Sequence, residues 1–483
     1  METSGLEIET IKVVNNKSIS KQSSILDVLK NLPFGLLFAA QFTQNVGAAV
    51  SWLALQFFIF TMTGSPGLMG LLSIVFWLPY VIITPLAGVY TDRYDQRKIM
   101  LLSNLISLFA SLGFVFIYLF RNALTIETVY LVQEEYGASL IHSFNIIHVL
   151  WPLYVFTFIN STAAAFFFPA RNAYTRLIIE KRNLLIANSI GTTVYQIATI
   201  IGYVLAGILA AKSYLGSFIF DASTFAFSLT MILLLLRFGK KPPEVVREAE
   251  HTFKHQVKGI YDDLVIGFRT IKNAPKISYM LIVFASAIFS FGAFNVLFIV
   301  IIQGEMGFNE TAYGILQAIM GVSGIITALI LMSIGKINRK ILMLNVTLAS
   351  LSVFLFLFAF IRNIWAMGVI IFILGIGLVC INIPAPTLIQ EQIPYEKQGR
   401  VFGTQQLLQG LARLLGMGLV SLIAEYVKPM YILLVSASIL LIMMTFGFIY
   451  SGKKGLMGTD YDMFSNEDED IIASSDYYTS AKI

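Results

Sequence analysis

The most demanding side chain in this sequence is Arg413, near the middle of an apolar run over 400–424. A guanidinium at that depth costs about 2.5–3.5 kcal/mol on insertion scales, so it needs a partner or a wet cavity. Two chemistries follow. It serves as a fixed charge that binds an anionic group or works against exchanged protons, or as a structural donor to neighbouring helix carbonyls. Gln406 and Gln409, seven and four residues earlier, share its helical face and extend a polar strip. A second strip, Gln41, Gln44, Asn45, Ala48 and Trp52, follows i, i+3, i+4, i+7 and i+11. Polar and aromatic groups on one face of an apolar helix suit a cavity wall. Gln196 (with Thr192, Thr199 and Tyr203), Asn295, Gln317 and Asn382 are further candidates for substrate binding. Each also reads as polar glue between helices.

Acids are scarcer. Only Asp221 falls inside an apolar run, so it is the one candidate proton carrier, with a structural role as the alternative. Glu391 and Glu425 sit at the ends of runs, and all four His lie in polar segments. The Glu and His spacing near 127–148 matches no metal motif, and no Walker A, zinc cluster, G-x-S-x-G elbow or paired intramembrane carboxylates occur. An enzyme is therefore not expected, nor a cofactor or metal.

What must position these residues is a set of membrane helices. The chain has 483 residues, 57% hydrophobic and 13% charged, with mean hydropathy +0.77. That charge content is about half of a soluble domain's, and one Cys excludes a disulfide scaffold. Twelve apolar runs are long enough to span a bilayer: 32–62, 67–90, 98–120, 149–172, 184–211, 215–237, 277–303, 310–334, 340–361, 364–390, 400–424 and 428–450. They are apolar on every face, so a barrel is excluded and the class is all-α membrane.

Lys and Arg orient the chain. With the N-terminus placed inside, 28 of the 33 basic residues fall on the cytoplasmic side and 4 outside, the last being Arg413. Both termini are expected in the cytoplasm of a cell-membrane protein. The net charge of +5 is then a topology signal facing anionic lipid, not a sign of nucleic acid. Residues 1–30 read as a cytoplasmic tail, 121–148 as an outer insertion, 238–276 as a cytoplasmic linker and 451–483 as an acidic disordered tail. The bundles are 31–237 and 277–450.

The halves repeat. Arg97-Lys98-Ile99-Met100-Leu101 aligns with Arg339-Lys340-Ile341-Leu342-Met343 at an offset of 242. Pro169-Ala170 aligns with Pro384-Ala385 at 215, and Ala198 to Gly202 with Ala412 to Gly416 at 214. The change of offset equals the length of the outer insertion, as a duplication followed by insertion requires. Two pseudo-symmetric six-helix bundles are the architecture of alternating-access transporters. Gly88, Asp92, Arg93 and Arg97, between the second and third runs, resemble the G-x-x-x-D-R-x-x-x-R loop of the major facilitator superfamily. Thr63-Gly64-Ser65-Pro66, Phe168-Pro169-Ala170-Arg171 and Asp221 to Phe225 resemble its twelve-helix drug efflux branch, which contains macrolide and siderophore exporters.

The resemblance implies that Gly88, Asp92, Arg93 and Arg97 gate, with Asp92 bracing the N–H groups of Val401 and Phe402 at the start of the eleventh helix. Arg93 and Arg97 would hold acids or headgroups. The branch usually has Gly-Pro where this chain has Gly202-Tyr203, so Gly202 and Gly207 imply close helix packing. Many branch members carry an intramembrane Asp where this chain has Ala48. The resulting expectation is a secondary active exporter of a hydrophobic or amphipathic small molecule, coupled to protons by antiport. The alternatives are an anion exchanger or facilitator without proton coupling, and a transporter-like receptor or scaffold.

Overall fold

A computed structural model describes residues 28, 30–132, 138–180, 183–242, 253–334 and 339–453. The first six spans are α1 (Leu32–Thr63), α2 (Pro66–Arg93), α3 (Gln96–Val132), α4 (Ala138–Ile178), α5 (Leu184–Lys212) and α6 (Tyr214–Phe238). A seventh helix, α7 (Phe253–Lys272), precedes α8 (Pro275–Ile299), which ends in a π turn over Val300–Glu305. Then come α9 (Glu310–Ile334), α10 (Lys340–Phe360), α11 (Ile364–Asn382), α12 (Pro384–Gln392), α13 (Tyr395–Ile423) and α14 (Pro429–Lys453). Among the described residues no strand occurs, and twelve helices are long and apolar enough to cross a membrane.

Local chemistry sets the tight turns. Gly64 takes φ 63°, ends α1 and hands the chain to Ser65, whose side chain accepts from the Leu68 N–H at 3.1 Å. Pro66 then occupies the first position of α2, where its missing N–H costs nothing. The Thr63–Pro66 signature is thus a left-handed helix stop fused to an N-cap.

Helices α1–α6 and α8–α14 form two bundles with one pairing scheme. In the first, α1 packs on α5 and α6, α2 on α4, and α3 on α4 and α6. In the second, α8 packs on α13 and α14, α9 on α11, and α10 on α11 and α14. The bundles meet along two main seams, α2 with α13 and α5 with α9. The membrane side where α1 begins and α14 ends is called here the terminal side, and the opposite one the far side.

Helix runs into the insertion at 121–148 from both ends, α3 continuing to Val132 and α4 starting at Ala138. Its Glu134 and Glu135 lie outside the described residues, as do 1–27, 29, 243–252 and the acidic tail from 454. The segment 238–276 contains α7, which packs on α13 through the close approach of Gly267 to Arg400 and Thr404. Asp263 accepts from Arg400 Nε at 2.7 Å across that contact. The tenth run breaks at Ile383, because Pro384 and Pro386 remove two backbone donors in succession. Finally, α13 begins at Tyr395, so the N–H groups of Val401 and Phe402 belong to its helical ladder and are not free for Asp92.

Candidate functional site: a vestibule between the bundles

The far side is sealed. Gly207 on α5 meets the backbone of Glu310, Thr311 and Gly314 on α9, and a Cβ on Gly207 would lie 2.7 Å from the Glu310 carbonyl oxygen. Thr311 Oγ1 donates to the Gly207 carbonyl at 3.1 Å. On the other seam, Ser421 Oγ donates to the Gly67 carbonyl at 2.5 Å and Ser65 Oγ donates to Glu425. Tyr214 donates to Glu310 at 2.7 Å, tying α6 to α9. Behind these contacts Phe57, Phe298 and Tyr313 form an aromatic plug with centroids 4.6–5.2 Å apart.

Toward the terminal side the seams open. On α5, Ile200, Tyr203 and Gly207 face α9; Gln196 lies four, seven and eleven residues before them on the same face, yet is exposed. On α13, Gly410 packs against Val81, but Gly403 two turns earlier has nothing within 4 Å of its Cβ position, and Gln406 is exposed. The bundles therefore form a V with its apex at the far side.

Arg413 sits inside that V, ten residues before the end of α13, nearer the far side than its position in the run suggested. Its guanidinium stacks over Trp77 on α2, 4.0 Å from the ring centroid. From Trp77 the rings continue to Tyr80 at 5.5 Å and on to Phe168 at 6.4 Å, while Trp52 of α1 joins through Phe76 at 4.3 Å. Arg171 of α4 lies over Phe168 at 5.8 Å and donates to the Asn172 side chain at 2.5 and 3.1 Å. Gln409 is half-buried one turn before Arg413.

The other candidates divide. Gln44 Oε1 and Asn45 Nδ2 on α1 are buried and have no hydrogen-bond partner among the described groups, whereas Gln41 is simply buried. Gln317 donates to Tyr313 at 2.8 Å and so belongs to the plug. Asn295 and Asn382 each turn back on their own helices, donating to the carbonyls of Phe291 at 2.9 Å and Leu378 at 2.7 Å. Gly202 packs inside the first bundle, where a Cβ would fall 2.5 Å from that of Ala49.

Asp221 is elsewhere. It is 0% exposed between α1, α3 and α6, accepts from Ser111 Oγ at 2.6 Å, and abuts Gly47. Gly47 is needed there, since a Cβ would lie 1.9 Å from Thr224 Oγ1.

At the terminal rim, Arg97 is buried and holds an acid. Asp95, absent from the sequence candidates, accepts from the Arg97 N–H at 3.0 Å and pairs with Nη2 at 2.8 Å. Arg97 Nη1 then donates to the carbonyls of Leu236 and Gly239 at 3.4 and 3.2 Å, closing the end of α6. Burial opposes ionisation of Asp95, but its hydrogen bonds and charge contact with Arg97 outweigh this and hold the carboxyl below its ordinary range. In the second bundle Lys340 and Glu391 make an ion pair at 2.9 Å. Gly88 has open space beside it, Arg93 is exposed at the end of α2, and the Asp92 side chain lies outside the described residues.

Sequence reasoning missed Arg171, Trp77, Tyr80 and Phe168 as one group. The fourth run was ended at 172, but α4 continues to Ile178, which draws Arg171 nearly two turns inside. The aromatics were invisible because rings in an apolar run look like core wherever they point.

The family model for the Major Facilitator Superfamily matches residues 37–417. Macrolide efflux protein A of Streptococcus pyogenes is 23% identical over 424 residues, covering 85% of this chain and 94% of its own. The putative bacilysin exporter BacE of Bacillus subtilis is 24% identical over 360 residues, covering 74% and 80%. A bacterial homologue of the iron transporter ferroportin, crystallised in an inward-facing state, superposes with a TM-score of 0.65 at 15% identity over 88% of this chain and 99% of that one. Twelve spans in two like-paired bundles about a one-sided vestibule, matched along most of their length by that family, make this chain a multi-pass membrane transporter that belongs to the Major Facilitator Superfamily.

Proposed function

We propose that the chain is a secondary exporter in the cell membrane with both termini cytoplasmic, which makes the V-shaped state inward-facing. A hydrophobic or amphipathic small molecule enters the vestibule from the cytoplasm or inner leaflet and is released after the far side opens. The observation that carries this reading is the aromatic-walled vestibule, sealed on one side and open on the other. Rocking of the bundles about such a site delivers cargo without a continuous pore. The efflux names of relatives such as macrolide efflux protein A supply the direction. Gly88, Asp92 and Arg93 would meet the start of α13 when the terminal side closes, and the open space beside Gly88 is consistent with a latch disengaged in this state.

An ion gradient, protons first, is the proposed energy source. A second reading, exchange or facilitation of anions without proton coupling, is favoured by one observation: the single intramembrane acid of the first bundle, Asp221, is packed away from the vestibule. Proteoliposomes with an imposed pH gradient separate the two. Coupled export requires uphill accumulation that follows the gradient; flux indifferent to it selects the second reading. Absence of any substrate flux or counterflow would reject transport through this vestibule.

A further inference from the structure

The charges of the vestibule are one-sided. Arg413 and Arg171 come from different bundles, on α13 and α4, and both reach the same ladder of rings. Among the described residues Arg413 makes no ion pair, and its guanidinium lies over the face of Trp77. Arg171 is satisfied in part by a neutral amide, Asn172. No carboxylate among the described residues pairs with either guanidinium. Tyr195 lies within electrostatic reach of both Arg413 and Tyr80, adding a phenol to the same wall.

Two guanidiniums held without counter-charge at membrane depth are costly unless something else compensates them. Stacking on an aromatic face returns less than a charge-assisted pair provides. A guanidinium keeps a fork of donors after stacking, and that fork matches a carboxylate, sulfonate or phosphate. The rings between the two cations offer an apolar surface that ions alone would not use.

We infer that the cargo is an amphipathic organic anion, its acidic group held by Arg413 and its apolar or aromatic body laid on Trp77, Tyr80 and Phe168 toward Arg171. This rests on the vestibule being the transport site and adds the charge class of the cargo. Because Arg413 is on α13 and the rings are on α2 and α4, the cargo also bridges the parts that must rock.

The test uses the full chain in nanodiscs and three probes of one shape: 2-naphthoate, 2-naphthalenemethanol and (2-naphthylmethyl)trimethylammonium. Equilibrium binding of each radiolabelled probe is measured for the wild type, Arg413→Gln, Arg413→Lys and Arg171→Gln. Naphthoate should bind at least about tenfold more tightly than the cation, as one or two charge-assisted contacts require. Arg413→Gln should weaken naphthoate by about tenfold and Arg171→Gln by about twofold through its longer-range charge, each leaving the neutral alcohol within about twofold, and Arg413→Lys should keep most of the preference. The unchanged alcohol affinity shows that the variants are folded. Cation binding equal to or tighter than naphthoate, or naphthoate affinity unchanged in Arg413→Gln, overturns the inference. Saturable binding of the alcohol and cation without the anion leaves the vestibule standing and removes only its anion preference. Binding of none of the three rejects the vestibule as a cargo site as well.

Discussion

At the scale of single residues, the Asp95–Arg97 pair is structural, whereas Arg413 makes no ion pair among the described residues and lies against the rings of the vestibule. Asp95 and Arg97 join the start of α3 to the end of α6, so Asp95→Asn should lower thermal stability in detergent by about 1–3 kcal/mol at neutral pH. The sign with pH follows from the depressed carboxyl. Its stabilisation is complete above the unfolded-state value and is lost only as pH falls through the lower folded value. Melting curves of wild type and Asp95→Asn should therefore differ by a constant amount from neutral pH down to about pH 4 and converge only in stronger acid. Asp221 behaves otherwise. Sealed against Ser111 with no described cation beside it, it is expected to tolerate Asn with flux within about twofold of wild type, while Asp221→Leu destabilises by stranding Ser111. Loss of gradient-driven flux in Asp221→Asn with counterflow intact would instead make it the proton carrier.

Among the helices, two glycines of α5 separate packing from gating. Gly202 touches α1 of its own bundle, whereas Gly207 touches α9 of the other. Gly202→Ala overpacks one bundle and should cost about 1–3 kcal/mol of stability with little change in which side is open. Gly207→Val wedges the far seam apart, where its Cβ would meet the Glu310 carbonyl oxygen at 2.7 Å. It should shift the population toward a far-side-open state, read as raised labelling of a cysteine placed at Thr61 by an impermeant reagent from that side. Equal labelling in the two variants would contradict this division. Helix α7 adds a restraint to the second bundle: Asp263 to Arg400 and the approach of Gly267 to Thr404 fasten it to the start of α13.

For the molecule as a whole, the V shape gives a direct topological test. In a background where the single cysteine, Cys380, is replaced by Ala, cysteines at Gln196 and Gln406 should react with impermeant maleimide from the cytoplasmic side. Protection of both by 2-naphthoate, but not by the trimethylammonium probe, would join the topology to the proposed cargo. Labelling of both from outside only would reverse the assigned orientation. Much of this organisation was legible beforehand. The twelve runs, the offset repeat and the 28-to-4 bias of basic residues come from length, periodicity and charge, which act through the bilayer before any tertiary contact exists. Arg413 was legible because a cation at that depth must be answered. The orientation of Asn295 and Asn382 was not legible, because an amide on an apolar helix satisfies itself on its own backbone as readily as it meets a ligand.

Sequence alone, then, determined how many times this chain crosses the membrane, that its halves are related, and that one cation lies within the eleventh apolar run. These are one-dimensional properties, settled by the cost of polar groups in hydrocarbon. The tertiary structure decided which ring meets Arg413, that Arg171 from the other bundle reaches the same ladder, and that Asp221 is shut inside one bundle. It also decided which side is open. Those facts depend on rotations of helices about their axes and on contacts between residues hundreds of positions apart, and an apolar run reads the same whichever face it turns inward.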